Sequence, residues 1–133
     1  MAKYFTIQTD PKLFTCKCGE CPPDFHVSPT ELLLHTLDVL REQLGRPLVV
    51  TSGVRFPARN AKVGGVLTSE HLTGEGADLH VPTSLDRFYV VQAAQRIGVA
   101  RIGLGETFVH IGVGKDVPQH IIWLYGASRA PDR

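Results

Sequence analysis

The stretch SPTELLLHTLDVLREQLG, residues 28 to 45, constrains the fold of this chain more than any other segment. Ser28 offers the side-chain oxygen of a good N-cap, and Pro29 suits the first helical position. Glu31, three residues after Ser28, completes a capping box. Leu33, Leu37, Leu40 and Leu44 recur at helical spacing on one face, and Gly45 supplies the stop. The segment is a helix, and its leucine face needs an apolar surface to lie on.

What flanks the helix sets the fold class. Over the first thirty residues Pro11, Pro22, Pro23 and Pro29 limit any helix, leaving about residues 1–27 as an irregular segment that holds every cysteine. Arg46-Pro47 breaks the chain, and LVVTS then reads as a short β-branched strand. GVRFPARNAKVGG follows as a long loop, of the kind that often carries function in compact domains. GADLHVP reads as a second strand that ends at Pro82. A second helix begins at Thr83 or Ser84, turns Phe88, Val91, Ala94 and Ile97 towards the core, and ends at Gly98. ARIGL and TFVHIGV flank a hairpin turn at Gly105-Glu106, and HIIWLY is a candidate last strand. The tail from 126 to 133 is expected to fray. The pattern predicts an α+β fold, a small antiparallel sheet packed with two main helices, as a single domain over residues 1–133.

Composition removes several functions. Fourteen basic residues against 13 acidic give a net charge of +1, so no basic surface for nucleic acid is expected. No run of apolar residues is long enough for a membrane span. The opening MAKYFTIQTD lacks the features of a secretory signal. Cys16, Cys18 and Cys21 are an odd number crowded into six positions, which points to a reduced compartment and not to a disulfide framework. A monomer that is cytoplasmic at synthesis is the expectation.

Chemistry concentrates in SEHLTGEGAD, residues 69 to 78. His71 and Asp78 are of the types that bind zinc, and a catalytic site needs a third protein ligand plus a position for water. His110 in TFVHIGV is the candidate third, because an imidazole inside an apolar strand is costly to bury without a partner. A hydrogen-bonded core histidine and a turn-forming aspartate are the plainer readings of the same residues. Cys16, Cys18 and Cys21, with His26 nearby, could hold a second, structural zinc. Cys-x-Cys is tight for one tetrahedral ion, however, and a compact apolar segment is the simpler account.

Longer motifs narrow the choice. SEHLTGEGAD resembles the S-x-H-x-x-G-x-A-x-D type of motif of zinc D-Ala-D-Ala carboxypeptidases and dipeptidases and of peptidoglycan-cleaving phage endolysins, whose zinc fold the Hedgehog amino-terminal domain shares. TSGVRFPARNAKVGG is similar to that family's S-G-x-R-x-P-x-x-N-x-x-V-G-G stretch, and FVHIGV to its F-V-H-V-D strand. FTCKCGEC and the helix before PLVVTSG fit the small phage-type branch, so the resemblance spans about residues 14–114 in one order. It implies one zinc at one face of the sheet, bound by His71, Asp78 and His110. It implies that Arg55 helps to hold a substrate carboxylate, which a guanidinium fork matches with two parallel hydrogen bonds. Ser52 and Ser69 would contact substrate or support the ligands, or else simply form turns. The implied activity is a zinc metallopeptidase cleaving peptidoglycan stem or cross-link peptides, as a D-Ala-D-Ala carboxypeptidase or an endolysin-type endopeptidase, in a phage-encoded protein acting on the cell wall.

Two departures stand against that pattern. Relatives place a proton carrier two or three residues before the last zinc histidine, where this chain has Thr107 and Phe108. Glu106, one step further back, and His80, on the same strand face as Asp78, are the remaining candidates. Gly112 stands where the family strand usually carries aspartate. The alternative is a non-catalytic, zinc-stabilised module that binds cell-wall peptide or a protein partner.

Overall fold

The computed structural model describes residues 29–53 and 70–125. The cysteine cluster, Arg55, Ser69 and the tail lie outside the described residues. Helix α1 spans Glu31–Leu44, and Thr30 caps it in place of Ser28: its backbone is extended and its Oγ1 accepts from the Leu33 N–H at 3.1 Å. Cap geometry needs an oxygen three residues ahead of that donor, and Thr30 meets it, which leaves Pro29 just before the cap. Gly45 closes the helix at φ 77, its N–H bonded back to the Arg41 carbonyl. Leu33, Leu34, Leu37 and Leu40 are buried and Leu44 packs against them, so the leucine face is the core face.

Helix α2 spans Ser84–Arg96. Thr83 caps it, accepting from the Asp86 N–H and donating to the Asp86 carboxylate. Its core face is Val90, Ala93 and Ala94, with Val91 and Ile97 against them. Phe88 does not join that face, as the sequence had suggested; it is 58% exposed. At 3.6 residues per turn it lies about 200° around the helix from Val90, so one cannot be buried with the other.

Five strands form one sheet: β1 (Val50–Ser52), β2 (Gly76–His80), β3 (Arg101–Leu104), β4 (Phe108–Gly112) and β5 (Ile121–Leu124), in the order β1-β2-β4-β3-β5. The first four are antiparallel neighbours, as expected, and β5 joins the edge parallel to β3. The sheet is therefore mixed. The hairpin puts β4 on one side of β3, and the chain must cross back through residues 113–120 to reach the other. Arg101 holds that crossing by donating to the Pro118 carbonyl.

Strand alternation gives the sheet two unlike faces. Ala77, Leu79, Ile102, Val109 and Ile111 point at the helices and are buried with their leucines and alanines. The opposite face presents, in cross-strand register, Ser52, Asp78, His110, Gly103 and Trp123. Among the described residues no helix is long and apolar enough to cross a membrane.

Candidate metal centre

Three segments converge on that second face. His71 sits in a single 3-10 turn, Glu70–Leu72, which the turn at Thr73 and Gly74 leads into β2. Asp78 is central in β2, and His110 is its partner on β4. His71 and His110 meet edge to face with ring centroids 4.9 Å apart. His71 Nε2 lies 3.2 Å and His110 Nδ1 2.9 Å from the same oxygen, Asp78 Oδ1. All three side chains are buried, and one candidate ligand atom from each lies within 4.8 Å of the others.

The far nitrogen of each ring is tied as well. His71 Nδ1 lies 2.5 Å from the Gly53 carbonyl, an acceptor, so that nitrogen carries the proton and Nε2 is left to bind. His110 Nε2 lies 2.9 Å from Glu70 Oε1. Imidazoles whose outer N–H is anchored on a carbonyl or carboxylate are the usual form of metal-binding histidine. Two such imidazoles and one carboxylate match what a divalent ion such as zinc takes from a protein, so the donor set fits a metal.

Electrostatics around the group are strong. Burial alone would raise the Asp78 carboxyl; its hydrogen bonds from His110 and His71 and their charge outweigh this and hold it well below the usual carboxylate range. Burial would likewise lower His110, yet its hydrogen bonds to Asp78 and Glu70 push it up. With a carboxylate at each ring nitrogen, the ring without metal favours holding two protons. Metal binding at Nδ1 must displace one of them.

Glu70 is the residue that sequence reasoning passed over. It is 4% exposed, and burial would raise its carboxyl, but His110, the Gly114 N–H and Arg101 together lower it. Its Oε2 accepts from the Gly114 N–H at 2.7 Å and lies 3.0 Å from Arg101 Nε, an ion pair without the alignment of a hydrogen bond. The Arg101 guanidinium stacks over Trp123 at 5.0 Å, and the Trp123 ring in turn lies 5.5 Å from that of His110. The only signal in the sequence was the place of Glu70 directly before His71.

The remaining candidates fall elsewhere. Ser52 is the β1 partner of Asp78. His80 is exposed at the end of β2, and Glu106 is exposed in the β3–β4 turn, its backbone carbonyl held by Arg87 of α2. Neither side chain bonds to the ligand group among the described residues. The family model described as Peptidase M15 matches residues 8–113. No curated protein matches the chain.

Proposed function

This chain belongs to the peptidase M15 family, and from that premise we propose that it is a zinc-dependent peptidase acting on peptidoglycan stem or cross-link peptides, as a D-Ala-D-Ala carboxypeptidase or an endolysin-type endopeptidase. The observation that carries this reading is the buried His71, Asp78 and His110 group, with the outer nitrogen of each ring already committed to an acceptor. His71 Nε2, the Asp78 carboxylate and His110 Nδ1 would hold the ion. Bound there, zinc would polarise the scissile carbonyl and make its water acidic enough to attack near neutral pH. The protein's part is to bring the peptide to that face of the sheet and to move the proton.

Arg55 is assigned to the substrate carboxylate, with Ser52, beside Asp78 in register, and Ser69, next to Glu70 in the chain, as hydroxyl partners. For proton transfer, His80 has the favourable strand face, and Glu106 has the right chemistry ahead of His110 but one step back from the positions that relatives use. Their exposure, away from the ligand group, is what keeps a non-catalytic, zinc-stabilised module as the second reading.

Incubating zinc-loaded protein with purified cell wall and with short peptides ending in D-Ala-D-Ala tests the proposal. Release of D-alanine identifies the carboxypeptidase, and new amino groups without it identify the endopeptidase. Single-turnover rates of Glu106→Gln and His80→Ala, with zinc content confirmed, should show a loss of roughly a hundredfold or more in the variant that lacks the proton carrier. No hydrolysis of any wall peptide by the wild type would leave the binding module.

A further inference from the structure

Glu70 is a buried carboxylate against the ligand group that the proposed chemistry leaves unused. The sheet has made room for it. Gly76 and Gly112 are cross-strand partners on the ligand face, and Arg101 is the next residue of the same row. With no side chain at 76 or 112 the row is a trough, and Glu70 reaches into it from the 3-10 turn. A Cβ added at Gly76 would lie 2.6 Å from His110 Cε1 and 2.8 Å from Glu70 Cβ. One added at Gly112 would fall inside the Glu70 carboxylate, and one at Gly114 would lie 2.9 Å from Glu70 Oε2. Glycines thus surround the side chain, while the Gly114 N–H, Arg101 and His110 fix its two oxygens.

We propose that Glu70 is a positioning residue: its carboxylate holds the proton of His110 on Nε2 and sets the ring's rotation, so that Nδ1 faces Asp78 and His71. Gly112 is the vacancy that lets this carboxylate come from outside the strand. Two consequences follow from the geometry. A carboxylate can be delivered to His110 from position 70 or from position 112, but not from both. The glycine at 112, where the strand departs from the family pattern, has its reason in Glu70. The proposal rests on reading His71, Asp78 and His110 as a metal centre.

The full chain can test both ideas by zinc affinity, from chelator competition, and by the tautomer of His110, from long-range proton–nitrogen correlation spectra of the zinc-bound protein. Glu70→Ala should weaken zinc roughly 10- to 100-fold, the usual cost of losing such an outer carboxylate. It should also blur the single His110 tautomer. Glu70→Gln keeps the volume if the alanine variant does not fold, and should weaken zinc in the same direction. Gly112→Asp alone should also weaken zinc, whereas Glu70→Ala/Gly112→Asp should bind at least tenfold more tightly than Glu70→Ala. Wild-type affinity and tautomer in both Glu70 variants, while His110→Ala loses zinc, would overturn the positioning role and leave the metal centre standing. A double variant no better than Glu70→Ala would overturn the exclusion between 70 and 112. Full zinc retention by His110→Ala would remove the metal-centre reading and this proposal with it.

Discussion

Gly103→Ala tests the wall of the site that Trp123 and Tyr125 form beside His110. Gly103 lies between His110 and Trp123 in the cross-strand row, and the Trp123 ring crosses over it to reach His110. A Cβ there would stand 2.7 Å from Trp123 Nε1 and Cε2 and 2.6 Å from Tyr125 Cε2. Ordinary carbon contacts begin near 3.5 Å, so two rings must retreat by about 1 Å. Overpacking of this kind costs roughly 1–3 kcal/mol, offset by the ~0.5–1 kcal/mol that alanine gains over glycine within a strand. The net loss is about 1–2 kcal/mol. At about 2.1 cal/mol/K per residue, this chain should melt roughly 4–7 °C lower. Trp123 is the chain's one tryptophan, so its emission reports the displacement without labelling. Gly98→Ala is the control: Gly98 has φ 86 and open space around its would-be Cβ. It should lose stability through backbone strain with emission unchanged. Gly103→Ala melting within about 1 °C of wild type, with the same emission spectrum, would refute the argument.

Ligand assignment predicts stoichiometric loss of zinc in His71→Ala and in His110→Ala, read by metal analysis. Chelation should lower the wild-type melting temperature: free zinc at a hundred times its dissociation constant stabilises by about 2.7 kcal/mol, roughly 10 °C for this chain. In metal-free protein the raised His110 contributes stability that is whole below the ordinary imidazole value of about 6.5 and is lost as pH rises through its folded value. Asp78 and Glu70, both lowered, contribute stability that is whole above the ordinary carboxylate values of about 4 and is lost as pH falls through their folded ones. Melting of the metal-free protein should therefore fall off on the alkaline side, and zinc should abolish that fall by replacing the Nδ1 proton; a metal-free curve with no alkaline fall would contradict the assignment. Arg55→Lys should slow turnover of carboxylate-terminated peptides well beyond any loss of stability, because lysine cannot make the two-pronged contact. Equal kinetics would leave Arg55 without a substrate role.

Patterns set by neighbouring residues were legible in the sequence. The spacing of Leu33, Leu37 and Leu40 and the stop at Gly45 place α1, and Gly105-Glu106 marks the β3–β4 turn. His71, Asp78 and His110 could be nominated because the motif keeps their order, although only the β2–β4 pairing brings the last to the first two. What escaped depends on relations between distant residues. Phe88 is apolar like its buried neighbours, and its direction follows from where the sheet lies and not from its type. Glu70 gains its role from two glycines 36 positions apart that meet only across strands. The parallel course of β5 depends on a crossing that local residue patterns do not encode.

Pairing of β2 with β4 also bears on how the chain reaches its native state. Asp78 and His110 are 32 residues apart in sequence, with α2 and β3 between them. Such a non-local contact closes late and slowly. A strand can also close out of step, and a slip of one residue turns every side chain to the opposite face. For β4 that slip would set Val109 or Ile111 opposite Asp78 and drive His110 into the apolar core on the helix side of the sheet. Such a trapped chain could neither fill its interior nor gather the three ligands. An ion held by all three ligands would therefore stabilise only the native β2–β4 register.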